Sequence, residues 1–293
     1  EYRWGDLNGD PLDWMKRYFD AHVYSANWGS CILMLRLPRS AIDKATLDDF
    51  AETSRGRSRS VHGFGVTTTP DYWILQWSCD DDSGDHERFW SEADGPGWMS
   101  RLLPLREELL RGDPRPLYLG WLARVFNGEL PDEAIEPPLP AGLQTLTPAQ
   151  TALAEFLLID IDWLAAAAEA SAPLASEKDD DSAIGTWLDL QTPADMRAVL
   201  HLVLGGRGAE AERSVRRRFI AWQSARQVPQ GASADRRTVA QLRARSEVAE
   251  AIRIERERKA EAAQAARQRA AREKQLAQLA MREFETALAR GWG

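Results

Sequence analysis

Residues that carry chemistry are scarce in this chain. Its 293 residues include two cysteines and four histidines, His22, His62, His86 and His201, scattered with no ligand or triad spacing. No stretch matches Gly-x-x-x-x-Gly-Lys-Ser/Thr, His-Glu-x-x-His, Gly-x-Ser-x-Gly, Cys-x-x-Cys or Gly-x-Gly-x-x-Gly, so the sequence points to no catalytic residue, metal site or cofactor. Cys31 and Cys79 sit in apolar strand-like runs and read as free buried thiols, as expected of a cytoplasmic protein in a reducing compartment. Long apolar runs are missing too. The nearest, residues 157–168, is broken by Asp160 and Asp162, which excludes a membrane-spanning helix, and the start lacks a signal-peptide pattern. Glu1 stands where an initiator Met would, as in a fragment or a processed chain.

Proline and glycine are absent from residues 232–290, and this is the most informative absence. Ala, Arg, Glu, Gln and Leu fill the stretch, so one uninterrupted helix is expected over about 233–290. Ser233, Ala234 and Asp235 offer the N-cap and Gly291 the stop. At 1.5 Å per residue such a rod spans about 84 Å, more than a small domain's diameter. Its apolar residues form two patches. Val239, Leu242, Val248 and Ile252 make the first, and Leu276, Leu279, Ala280, Phe284 and Leu288 the second. Between them only Ala262, Ala263, Ala266 and Ala270 continue the face. Heptads counted from Val239 put Arg253, Arg256, Arg267 and Lys274 at core positions, so a long leucine-zipper register fails.

Charge divides the chain in two. Residues 1–206 hold 17 Lys+Arg against 34 Asp+Glu, a balance of −17; residues 207–293 hold 20 against 11, a balance of +9; together they give the −8 of the whole. An acidic body with a basic tail suits a protein partner, a second copy or nucleic acid.

Elsewhere the order of elements reads as α+β, mostly α. Asp10-Pro11 starts a helix whose Leu12, Met15, Phe19 and Val23 recur at helical spacing. Residues 31–37 read as a strand, and 61–68 with 72–79 as a hairpin in which Trp73, Leu75 and Trp77 alternate with Ile74 and Gln76. A small N-terminal antiparallel sheet under a helix follows. Residues 40–52, 97–110 and 115–126 read as helices, completing a Trp-rich acidic domain over 1–127. Pro131, Pro137, Pro138 and Pro140 mark a linker over 128–147. A helical domain over 148–228 follows, with helices after Thr147-Pro148 and Thr192-Pro193, another over 209–226, and an acidic linker near 173–182. His201, on an apolar helix, reads as a core residue.

Three local clusters have ordinary explanations. Residues 80–87, Asp-Asp-Asp-Ser-Gly-Asp-His-Glu, lack the sixth-position glycine of a calcium loop and read as a hydrated acidic loop. The loop at 55–60 has neither the lysine nor the strand-to-helix setting of a phosphate cradle. Seven of the twelve tryptophans fall before residue 99, where burial in a core explains them more simply than stacking on bases; Trp4 and Trp90, among polar residues, are the exceptions.

Residues 2–11 with 17–21, 26–29 with 33–38, and 103–108 with 117–122 (Leu-Tyr-Leu-Gly-Trp-Leu) resemble a family of uncharacterised bacterial proteins. The resemblance covers roughly residues 1–170. It implies a further segment before Glu1 and assigns no activity or functional residue.

The function expected from these features is contact rather than chemistry: an interaction, scaffold or adaptor protein that docks a protein partner or a second copy through Val248, Ile252, Leu276, Leu279, Phe284 and Leu288. One alternative is a nucleic-acid-associated protein using Arg213, Arg216, Arg217, Arg218, Arg267 and Arg272. Another is an enzyme whose site is assembled in space within the N-terminal domain.

Overall fold

The computed structural model describes residues 1–3, 9–25, 30–51, 63–79, 97–174, 177–226 and 236–291. The loops at 55–60 and 80–87, together with Trp4, Trp28, Trp90, His62, His86 and the expected cap at 233–235, lie outside them.

The fold is α+β, mostly α. Its N-terminal part comprises β1 (Tyr2–Arg3), α1 (Pro11–Arg17), β2 (Ala21–Ser25), β3 (Cys31–Pro38), α2 (Lys44–Phe50), β4 (Gly63–Thr68) and β5 (Tyr72–Cys79). The sheet order is β1-β2-β3-β5-β4, with β2, β3, β5 and β4 antiparallel and the two-residue β1 parallel to β2. Alternation sorts the two faces. Leu33, Leu35, Leu37, Trp73, Leu75 and Trp77 point into the main core, while Met34 and Ile74 pack under Met15 of α1.

Two expectations change here. The first helix ends at Arg17 instead of running to Val23, and Ala21–Ser25 is a strand paired with β3 from Ala21↔Leu35 to Ser25↔Cys31. Val23 and Tyr24 fit a pleated surface, and the free edge of β3 supplies a full ladder that the helix could not. Asp10 caps α1 by accepting the Leu12 N–H at 2.9 Å, as its sequence signal implies.

The helical part begins with α3 (Trp98–Leu102) and α4 (Pro104–Leu110), two helices rather than one because Pro104 cannot continue the ladder. Next, α5 (Arg115–Phe126) is buried on every side from Arg115 to Val125, the mark of a central helix. It lies so close to the sheet that a Cβ on Gly120 would fall 2.7 Å from both Phe64 Cβ and Trp77 Nε1. The Trp77 indole donates to the Pro116 carbonyl at 3.1 Å. Then come α6 (Pro148–Phe156), with the capping box of Thr147 and Gln150, and α7 (Ile161–Glu169), capped by Asp160.

Residues 128–147 are no loose linker. Arg115 donates to the carbonyls of Gly142 and Thr145, Ser171 Oγ donates to that of Pro140 at 2.7 Å, and Glu136 and Leu143 are buried. The prolines straighten a strap whose polar groups are met by its neighbours. One core accordingly runs from Val23 to Leu242 and joins the expected 1–127 domain to α6 and α7.

Three further helices, α8 (Glu177–Asp189), α9 (Pro193–Leu204) and α10 (Gly208–Arg226), pack on one another, with Trp187 edge-on to Phe219. The acidic stretch expected as a linker near 173–182 is therefore helical from Glu177; carboxylates are favoured at a helix start. No residue of α9 is buried, and His201 is exposed rather than in a core. The last element, α11 (Val239–Gly291), is 53 residues long, about 80 Å of helix.

Candidate functional site

The base of α11 is held in a polar socket inside the body. Thr238 forms the cap, accepting the Gln241 N–H through Oγ1 at 3.2 Å while its own N–H donates to Gln241 Oε1 at 2.8 Å. Just before it the chain pairs with the proline-rich strap: Glu136 N–H donates to the Arg237 carbonyl at 2.8 Å, and Val239 N–H to that of Ala134 at 2.9 Å. Side chains close the joint. Arg237 grips Glu136 bidentately, Nε to Oε2 at 2.7 Å and Nη2 to Oε1 at 2.8 Å, and its Nη1 donates to the Ala166 carbonyl of α7 at 2.9 Å. Tyr118 of α5 donates its hydroxyl to the same carboxylate at 2.6 Å. Burial, and next to it the Glu136 charge, push the Tyr118 phenol well above its usual range. Burial works against the Arg237 cation, but the hydrogen bond and charge of Glu136 outweigh it and raise the group.

Beyond the socket, α11 runs along α7. Val239 and Leu242 are fully buried and Ser246 nearly so, opposite the small Ala166 and Ala167 that admit a close approach. Three ion pairs tie the flanks: Arg243 to Asp132 at 3.1 Å, Arg245 to Glu169, and Arg253 to Asp162, where Nη2 lies 2.8 Å from Oδ2. Hydrogen bonding from Arg245 holds the Glu169 carboxyl below its ordinary value. Asp160 and Asp162, two positions apart, thus divide their work: the first caps α7, the second receives the arginine that makes the last tie.

Among the described residues Arg253 makes the last hydrogen bond or ion pair from α11 to the body. Every residue from Ile254 to Gly291 is exposed, an arm of about 57 Å at 1.5 Å per residue. Helix geometry sorts its side chains. Val248, Ile252, Phe284 and Leu288 fall on one row, and Ala262, Ala266, Ala270, Ala277 and Ala280 fill it between them. That row lies roughly 150° around the axis from the face that docks on α7. Two shallow depressions follow it, one lined by Val248, Ile252 and Lys259 among others, the second by Ala262, Ala266 and Ala270.

Comparison of the chain with family models, with curated proteins and with solved structures finds no match.

The structure sorts the residues expected to meet a partner. Val248 and Ile252 remain about half exposed at 46% and 47%, because the body takes only Val239 and Leu242 from the first patch. Phe284 and Leu288 share their row. Leu276 borders it, and Leu279 is turned well away, so the second patch wraps the helix more than its sequence spacing suggested. A second apolar surface escaped the sequence reading: Met196, Leu200, Val203 and Leu204 of α9 are all exposed, Leu204 to 88%. Its pattern resembles that of any amphipathic core helix, and nothing local distinguishes an uncovered face from a covered one.

The arginines considered for phosphate contact are divided between α10 and α11. Arg218 reaches Asp195 at 3.2 Å and Gln191 at 2.5 Å, and so braces α10 against α9. Arg216 is exposed on α10, and the side chains of Arg213 and Arg217 lie outside the described residues. Arg267 and Arg272 are exposed on the arm.

In the N-terminal module Cys31 and Cys79 are buried and directly opposite each other across β3 and β5, and the Cys31 thiol donates to the Phe156 carbonyl at 3.3 Å. Burial lowers the His22 imidazole to about 4, and its Nε2 has no hydrogen-bond partner among the described residues. Among the described residues no group of His, Cys, Asp and Glu is placed to hold a metal ion, and no helix is long and apolar enough to cross a membrane.

Proposed function

We propose that this chain is an interaction or scaffold protein whose clamped C-terminal helix presents an apolar row to a protein partner or a second copy. One observation supports this reading above the others: the helix is fixed at its base by a buried ion pair, yet Phe284 and Leu288 of the row on its arm are exposed to 64% and 46%. A helix this long and this polar gains little from staying single with such residues in water; covering them is favourable. The buried, reduced thiols of Cys31 and Cys79 fit the cytoplasm.

The test compares the full chain with one ending after Glu257, which keeps every tie to the body. Light scattering after size exclusion, and capture from the native host's lysate, should show association or a retained partner for the full chain and neither for the shorter one. Equal behaviour of the two chains would overturn the reading.

The excess of arginine on α10 and α11 favours one second reading, a nucleic-acid-associated protein using Arg216, Arg267 and Arg272 with Arg213 and Arg217. Such binding must weaken steeply as salt rises, and absence of any shift of labelled DNA or RNA at low salt rules it out.

A further inference from the structure

The exposed row of α11 is interrupted by three charges, Glu255, Lys259 and Glu273, and their positions select an occupant. We infer that the row is covered by the same row of a second copy, running antiparallel, with the two-fold axis passing beside Ala266. The inference rests on the docking role of α11 proposed above and names the partner.

In that register Lys259 of each copy lies opposite Glu273 of the other. Within its own helix Lys259 already meets Glu255 at 3.1 Å, so the ammonium sits between two carboxylates. Side-chain sizes match as well. Val248 meets Phe284, Ile252 meets Ala280, and Ala244 meets Leu288, a larger residue always facing a smaller or slimmer one. At the centre Ala262 meets Ala270 and Ala266 meets its own counterpart, which lets the two axes approach to about 8 Å.

Other registers lose this match. A parallel pair would place Lys259 against Lys259 and Glu273 against Glu273, which is repulsive. Sliding the antiparallel pair by one turn puts Glu273 against Glu255 in one direction. In the other it leaves Lys259 against Ala277 and Glu273 against Ala263, both charges without a mate. The contact with α7 leaves the row free, because Val239, Leu242 and Ser246, the buried residues of α11, lie on the far side of the helix from it. Arg256, Arg267 and Lys274 flank the row on one side and repel their counterparts, and Arg258 and Arg269 flank it on the other, a cost that salt screens. Salt screens the Lys259–Glu273 attraction as well, so self-association varies with salt far less steeply than phosphate binding does.

Cysteine scanning tests the register, with the wild-type chain as blank because Cys31 and Cys79 are 1% and 4% exposed. Ala266→Cys should give a disulfide-linked dimer under mild oxidation, since it alone lies on the axis. Ala280→Cys alone should not, but mixed with Ile252→Cys it should cross-link between the two variants. Lys259→Glu or Glu273→Lys should each weaken the dimer on the order of tenfold or more, and the two combined should restore it. Efficient self-linking of Ala280→Cys, or no linking of Ala266→Cys in a chain that scatters as a dimer, overturns the register and leaves the docking helix standing. A chain that stays monomeric overturns the second copy as occupant; the docking role then depends on the comparison with the chain ending after Glu257.

Discussion

Along α11 the residues before Ile254 and those after it are drawn from the same few amino acids, yet their surroundings are opposite. The first turns bury Val239 and Leu242 completely and close a bidentate ion pair below them, while the arm leaves Phe284 and Leu276 in water. Composition does not separate the two regions. What differs is whether another element of the same chain lies alongside, and α7 is only 9 residues long. The difference shows that the stability of this helix is supplied at one end and its contact surface at the other, so the two can be broken separately.

The largest effect is expected at the socket. Glu136→Ala leaves Arg237 and the Tyr118 hydroxyl without their acceptor in a buried site, and should cost about 3–5 kcal/mol in chemical denaturation. Leu242→Ala, at the fully buried contact between α11 and the core, should cost about 2–4 kcal/mol by the same measurement.

The next effect is one of pH. His22 is neutral in the fold, with a pKa of about 4 against 6.5 in the unfolded chain. Below pH 6.5 the unfolded chain takes up a proton that the folded one refuses, so the contribution of His22 is full above 6.5, declines as pH falls and stops changing near 4. The span is up to about 3 kcal/mol. Thermal unfolding at a series of pH values should show this slope in the wild-type chain and a flatter one in His22→Leu.

Smaller still is Arg253→Ala, which removes the last tie to Asp162 without opening the core. Amide hydrogen exchange should quicken over residues 250–257 and stay unchanged at Val239 and Leu242. At the bottom of the scale, Phe284→Ala on the arm should leave the unfolding of the body within about 0.5 kcal/mol of wild type. Its effect should fall on association, read by light scattering. A large loss of stability from Phe284→Ala would erase the contrast between the two ends.

Much of this architecture is readable in the residues. The helix start at Asp10-Pro11, the proline-led starts after Thr147 and Thr192, and the unbroken run to Arg290 are local signals, and local signals survive tertiary context. The strand at Ala21–Ser25 is not readable in this way. Its Val23 continues the helical spacing of Leu12, Met15 and Phe19, and only the ladder with Leu33 and Leu35, distant in sequence, decides against the helix. The strap over 128–147 misleads for a related reason: prolines announce the absence of regular structure, not the absence of burial, and Glu136 gives no sign of the Arg237 that waits a hundred positions later. On the arm, sequence spacing found the apolar residues, but the face that remains free is known only once α7 occupies the other side.

The position of the joint has a mechanical consequence. A rod held over its first few turns and free beyond them behaves as a cantilever, so a tilt of about 5° where Arg237 meets Glu136, about 80 Å from the tip, carries the tip about 7 Å sideways. Whatever settles on the far end therefore has leverage on the Tyr118–Glu136–Arg237 joint, and small rearrangements there are magnified into the reach of the tip.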